Sequence, residues 1–263
     1  MKLREVGSHH EIFAQAAPVL KRAMDAPQPS LASSSPRAVP AASALAWFEA
    51  AMRMFKRAPV LWCALGFITL ASKLALELVP GIGRAASEVI VPVIECGLLI
   101  GAAELDRGRP LAIGHAFAAF RAPARALAAI VVSALLVSAA ETATAYALAG
   151  VNLLADPNDL RLTTGVLVAV ISAATFASLP LVFIPFAALF EQAGFVGAFA
   201  ASLRGFALNI APLLLFGVLS LALTLVGLLL FWIGLVAVLP LLAAASYAAW
   251  KDIYRPQALL TPT

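Results

Sequence analysis

Between Pro59 and Trp250 the chain is a succession of apolar runs, separated by three short basic stretches that carry aromatic residues. Several runs reach the ~20 residues that a helix rising 1.5 Å per residue needs to cross ~30 Å of hydrocarbon. Hydrocarbon offers no water to satisfy backbone N–H and C=O groups, so runs of this kind must close their own hydrogen bonds as helices. The expected fold class is therefore all-α, a polytopic membrane helical bundle of about six transmembrane helices with interfacial amphipathic helices. Composition agrees: 62% of residues are hydrophobic and 12% charged, about half the charged share of an average soluble domain. Such a chain has no room for a sizeable soluble catalytic domain, and any chemistry is intramembrane or interfacial.

The crossings are expected near 59–79, 86–104, 124–149, 164–188, 208–226 and 229–249. The last two have the least room, because the apolar stretch from Phe206 to Trp250 allows only short spans joined by a tight turn at Gly227. One long bent helix pair, or a re-entrant segment, is the alternative there. All of the 18 Lys and Arg residues except Lys73, Arg84 and Arg161 fall in segments that share one side of the membrane under this topology. The positive-inside rule makes that side, and both termini, cytoplasmic. The net charge of +4 is then topological, and no nucleic-acid partner is expected. Residues 1–44 contain no apolar core of a signal peptide, so the first crossing is expected to direct insertion.

The division along the chain is expected to be a cytoplasmic arm and flexible linker at 1–43, a transmembrane domain at 44–256, and a tail at 257–263. A short amphipathic helix is expected around Glu11 to Met24. The Pro, Ser and Ala residues of 26–43 have almost nothing to bury and read as a tether whose removal costs little stability. From Ala44 to Lys56, Trp47, Phe48, Ala51 and Phe55 share one helical face, and Glu49, Arg53, Lys56 and Arg57 lie on or near the other. That pattern makes an interfacial helix with Trp47 and Phe48 at the membrane surface. AWFEAAMR (46–53), AFAAFR (116–121) and AFAASLR (198–204) each precede a proline, at Pro59, Pro123 and Pro212, that opens an apolar hairpin. The hairpins return through Pro92, Pro180 and Pro240 and end at Glu104, Glu191 and Asp252. A threefold repeat accounts for this spacing, and so does chance in an Ala- and Phe-rich sequence.

Ionisable side chains within the apolar runs are the candidate functional residues, because each costs about 2.5–3.5 kcal/mol at a helix centre by insertion scales. They are Lys73, Glu77, Glu88, Glu95 and Glu141. Lys73 and Glu88 flank the VPGIG turn (79–83) at similar depth and are placed to pair across the hairpin. Glu95 lies deeper, on the same helical face as Glu88. Two accounts fit: a proton- or cation-responsive polar path in the outer half of the bundle, or a protruding first hairpin whose charges snorkel to the interface. Glu95 and Glu141 resist the second account best. Gly97 and Gly101 form a GxxxG helix-packing face, intramolecular in preference to dimeric. Arg107 and Arg109 are expected to anchor that helix end to anionic headgroups. Cys63 and Cys96 read as small packing residues, His115 as an exposed loop residue, and His9, His10 and Glu11 as a solvated tract, since adjacent residues do not converge on one ion. No catalytic, metal or cofactor constellation is recognisable, so the protein is not expected to be an enzyme. Its expected partners are the lipid bilayer and other membrane proteins.

The opening MKLREV (1–6), Trp47 with FKRAP (55–59), VPGIG, Pro92 and Gly97, AAELDRGRP (102–110), Asn209 with Pro212, and the closing SYAAWKDIY (246–254) together resemble a family of bacterial inner-membrane proteins. The family is chiefly betaproteobacterial, and its members are described simply as transmembrane proteins. The resemblance spans most of 44–256 and implies a six-span or similar helical bundle in the inner membrane, without implying an activity. Residues 7–43 look like an insertion relative to that family, and its first hairpin is usually more apolar than one bearing Lys73, Glu77 and Glu88. Two functional classes remain: an interaction, assembly or envelope-homeostasis factor, expected first, and a small transporter or channel component. A cavity at mid-bilayer lined by the intramembrane carboxylates separates the second from the first.

Overall fold

A computed structural model of the chain describes residues 35–230 and 233–254, and among these residues it is helical with no strand. The helix proposed at 11–24, the His9–His10–Glu11 tract and the tail 257–263 lie outside the described residues. Helix α1 is Ser43–Arg57, α2 Pro59–Glu77 and α3 Gly83–Asp106. A 3-10 segment, Ile113–Arg121, leads into α4, Ala124–Ala149, and α5, Thr164–Ser178. A 3-10 turn, Leu179–Leu181, and the short α6, Ile184–Leu189, come next, then α7, Phe195–Leu208, α8, Ile210–Leu229, and α9, Ile233–Tyr254. Six helices are long and apolar enough to cross a membrane: α2, α3, α4, α5 with its 3-10 turn, α8 and α9. The protein is thus an all-α, multi-pass bundle of the class the apolar runs dictate.

Local chemistry sets the boundaries. Pro59 occupies the first turn of α2, where its missing N–H is no loss. Gly150 ends α4 in the left-handed region at φ 66°, its N–H bonded to the Tyr146 carbonyl at 2.8 Å. The hydroxyl of Thr163 accepts the Val166 N–H to start α5. The element order is three rounds of a helical segment followed by a hairpin, α1 with α2 and α3, the 3-10 segment with α4 and α5, and α7 with α8 and α9. That is the order of the proposed repeat. One end of the bundle therefore carries α1, the 3-10 segment and α7 (the terminal end), and the other carries the turns within the hairpins (the hairpin end).

Several expectations change. Trp47 is not a membrane-interface residue: it is 2% exposed, its indole Nε1–H donates to Asp252 Oδ2 at 3.0 Å, and its ring meets Phe216 edge-on. Phe48 stacks on the same Phe216, with centroids 5.4 Å apart. The apolar face of α1, including Ala44, Trp47, Ala51 and Met54, joins the protein core in place of lipid. The tether boundary also moves, because residues 35–42 are fastened to the bundle. Arg37 ion-pairs with Asp252, and its N–H donates to the Ile253 carbonyl at 3.0 Å. Asn209, 1% exposed, accepts the Val39 N–H at 2.8 Å and donates to the carbonyls of Arg37 and Gly205, each at 3.0 Å. A buried amide satisfied three ways, twice by this strap of chain, makes 35–42 part of the membrane domain.

The turn expected at Gly227 lies beyond Leu229, so the last hairpin has room for two full crossings. Gly227 instead lets Gly234 approach within contact, where a Cβ on Gly234 would sit 2.7 Å from the Gly227 Cα. Gly97 and Gly101 do pack within the molecule, but against the connection that follows α3. A Cβ at Gly97 would collide with the backbone of His115 and Ala116, and one at Gly101 would lie 2.7 Å from Leu111. His115 is accordingly half-buried, its Nδ1 accepting the Ala112 N–H at 3.1 Å.

Candidate functional site

Helical periodicity turns the polar residues of the crossings toward one place. On α3, Ser87, Glu88, Val91, Pro92 and Glu95 fall on one face; on α4, Ala134, Ser138 and Glu141 do the same. With Thr69 and Lys73 of α2, Thr175 and Ser178 of α5, Thr224 of α8 and Leu235 and Leu239 of α9, they line a cavity of about 530 Å³. All six crossings contribute to it. Lys73, Glu88, Glu95 and Glu141, the four intramembrane candidates, are thereby brought together.

Their pairing differs from the expected one. Lys73 does not pair with Glu88; its Nζ lies 3.1 Å from Glu77 Oε1, one turn further along α2. Arg84 takes Glu88 at 3.2 Å and also reaches Glu77 at 3.3 Å. The physical reason is proximity within a turn: Lys73 with Glu77 and Arg84 with Glu88 are i, i+4 pairs, adjacent on one helix surface before any tertiary contact forms. Arg84, just outside the crossing expected at 86–104, belongs to the first turn of α3 and supplies the second cation. Two carboxylates are left over. Among the described residues neither Glu95 nor Glu141 has an ion pair within 4.0 Å or a hydrogen bond. Glu95 is at the midpoint of α3, yet its side chain is exposed, because it opens into the cavity. Ser87, 1% exposed, lines the same cavity, and its hydroxyl has no hydrogen-bond partner. Sequence reasoning passed over Ser87, although it shares the face of Glu88 and Glu95.

Two further voids adjoin this one. A space of about 630 Å³ toward the hairpin end shares Glu88 and Ser138 with it and reaches Tyr146, Asn152 and Leu154 at the α4 end and the loop beyond. On the other side, a void of about 330 Å³ shares Pro92, Glu95 and Ser178 and continues between Leu98, Ile130, Phe186 and Ala243, with mainly apolar walls. Aromatic rings flank it at the terminal end: Phe186 stacks on Trp250 at 5.3 Å, with Phe190 and Tyr247 against them.

The crossing that contributes Ser178 is broken. A continuous span over 164–188 was expected, but Pro180 and Pro185 each lack an N–H, and the helix gives way to the 3-10 turn and resumes as α6. The fully buried Ser202 of α7 bridges the break. Its hydroxyl donates to the Pro180 carbonyl at 2.8 Å and accepts the Phe183 N–H at 3.1 Å. The prolines in SLPLVFIPF were the available signal for this discontinuity; nothing in the sequence pointed to Ser202.

The remaining candidates lie away from the cavity. Arg107 and Arg109 both converge on Glu104 at the end of α3, and the hydrogen bond to Glu104 raises the Arg109 guanidinium above its ordinary value. Both stay substantially exposed at the terminal end. Cys63 and Cys96 are free thiols. No three His, Cys, Asp or Glu side chains among the described residues are grouped to hold a metal ion. No protein-family model matches the chain, and neither curated proteins nor solved structures supply a significant match.

Proposed function

We propose that this protein is a non-enzymatic small transporter or channel component of the bacterial inner membrane, which takes a positively charged solute into the six-helix cavity. One observation carries this reading: every crossing contributes to a single cavity that holds two carboxylates outside any ion pair. Carboxylates in the membrane interior are costly, and a scaffold gains nothing from leaving two of them unpaired beside a void. A cation entering the cavity supplies what they lack. The broken fourth crossing, with irregular backbone where it borders a cavity, is the usual architecture of transporter sites. Both termini are cytoplasmic in this proposal, supported by the concentration of Lys and Arg at the terminal end. Membership of the inner-membrane family it resembles belongs to the same proposal and rests on the motifs that carry the resemblance.

The test is charge displacement in proteoliposomes adsorbed on a solid-supported membrane, challenged in turn with ammonium, choline, tetramethylammonium and tetraphenylphosphonium. At least one should give a saturable transient in the wild type that Glu95→Gln with Glu141→Gln abolishes. Saturable transients that survive both substitutions, or none from any cation, would reject the reading. The protein would then be better sought as an assembly or envelope-homeostasis factor, by what co-purifies with it.

A further inference from the structure

Building on the transport reading, we infer that the solute is an amphipathic organic cation, its charged end held at Glu95 and its apolar portion in the adjoining void. Three observations converge. The charge balance of the cavity selects sign: Lys73 and Arg84 are engaged with Glu77 and Glu88, whereas Glu95 and Glu141 are not paired. Ser87, whose buried hydroxyl has no hydrogen-bond partner, lines the same cavity beside Glu88 and Glu95. Glu95 lines both the six-helix cavity of about 530 Å³, where the charged side chains gather, and the more apolar space of about 330 Å³. Each is within the ~300–1,000 Å³ range of small-molecule sites.

A compact hydrophilic cation would satisfy the carboxylate and leave the walls formed by Leu98, Ile130 and Phe186 facing water or emptiness. A neutral apolar molecule would fill those walls and leave Glu95 without a partner. Only a molecule with both characters matches both spaces, because burying apolar surface contributes about 25 cal/mol per Å² while the charge offsets the carboxylate.

The experiment is equilibrium dialysis of the purified full chain in mild detergent with radiolabelled tetraphenylphosphonium. Tetramethylammonium tests charge without bulk, and tetraphenylborate tests the same bulk with the opposite charge. Wild type should bind tetraphenylphosphonium saturably, with tetramethylammonium competing at least 100-fold more weakly and tetraphenylborate not at all. Glu95→Gln should weaken binding at least tenfold. Ala243→Phe, which fills the apolar void, should weaken tetraphenylphosphonium tenfold and leave tetramethylammonium unchanged. Should Ala243→Phe fail to elute as wild type in size exclusion, Ser246→Leu on the same wall replaces it. Equal binding of both cations, insensitive to the wall substitution, would overturn the amphipathic assignment and leave the transport reading standing. No saturable binding of tetraphenylphosphonium, or full binding by Glu95→Gln, would likewise overturn the amphipathic assignment, while the transport reading stands or falls by the charge-displacement test.

Discussion

At the terminal end of the bundle, Trp47, Trp62, Phe183, Phe186, Tyr247, Trp250 and Tyr254 interlock, and polar atoms among them find named partners: Trp47 with Asp252, Trp62 Nε1 with the Met54 carbonyl, Tyr254 with the Ala201 carbonyl. From mid-bundle to the hairpin end the same six crossings border open cavities, a serine hydroxyl without a partner and two carboxylates outside any ion pair. What differs between the two ends is how far polar groups are satisfied within the chain. A membrane bundle can hold itself together from one end and leave the other unsatisfied for a guest, because dense packing and satisfied hydrogen bonds at the latch carry the stability that the site forgoes.

The largest expected effect lies in the latch. Trp47→Ala removes a buried ring and one of the two side-chain partners of Asp252, leaving Arg37, and should cost about 3–5 kcal/mol in denaturant unfolding from detergent. Glu95→Gln, by contrast, should leave stability unchanged or slightly raised, since it removes an unpaired charge. Equal losses from the two would erase the distinction between the ends.

The strap comes next. Asn209→Ala strands the Val39 N–H and the Arg37 carbonyl, and should cost about 2–3 kcal/mol. A chain beginning at Ser43 should likewise be less stable than one beginning at Ser35 by a similar margin. Indistinguishable melting of those two truncated chains would return residues 35–42 to the status of a tether.

A smaller effect is expected at the broken crossing, where Ser202→Ala leaves the Pro180 carbonyl and the Phe183 N–H without their shared hydroxyl. The loss should be about 1–2 kcal/mol, accompanied by faster amide hydrogen exchange at Phe183 and Ile184 and not at α2. Exchange that stays slow would show that the break is held by packing alone.

Charge coupling at the hairpin end should be smaller again. A double-mutant cycle on Arg84 and Glu88 should give about 0.5–1 kcal/mol, and one on Lys73 and Glu88 close to zero. The reverse order would restore the cross-hairpin pair inferred from depth alone.

The smallest effect concerns the loop between α4 and α5. Side-chain and backbone hydrogen bonds from Arg161 hold Asp159 down at about 2, below its ordinary 3.8. A depressed carboxylate contributes above its unfolded value, and that contribution is lost as pH falls through about 2. Proteolytic sensitivity of the loop should therefore be flat between pH 8 and 5, and Asp159→Asn should raise it throughout that window. A change within the window in the wild type would implicate another group.

Much of the architecture was legible beforehand because hydrocarbon leaves so few options. Length and apolarity locate the crossings to within a few residues, and Pro59 and Gly150 mark helix ends by their own backbone chemistry. The four intramembrane candidates were identifiable because a charge in an apolar run has a recognisable cost wherever it points. Trp47 was misplaced for the complementary reason: an amphipathic helix presents the same face whether lipid or protein covers it, and only the packing of α9 and Phe216 against α1 decides which.

Sequence by itself determined the helical class and the number of helices long and apolar enough to cross a membrane, both of which follow from local hydrogen bonding and one-dimensional hydrophobicity. Tertiary structure alone decided that Trp47 meets Asp252 and Phe216, that Asn209 ties residues 35–42 to the bundle, that Ser202 bridges a broken helix, and that Glu95 opens into a cavity. Each of these depends on which helices become neighbours and at what rotation, and apolar surfaces that are nearly interchangeable along the sequence carry no record of that choice.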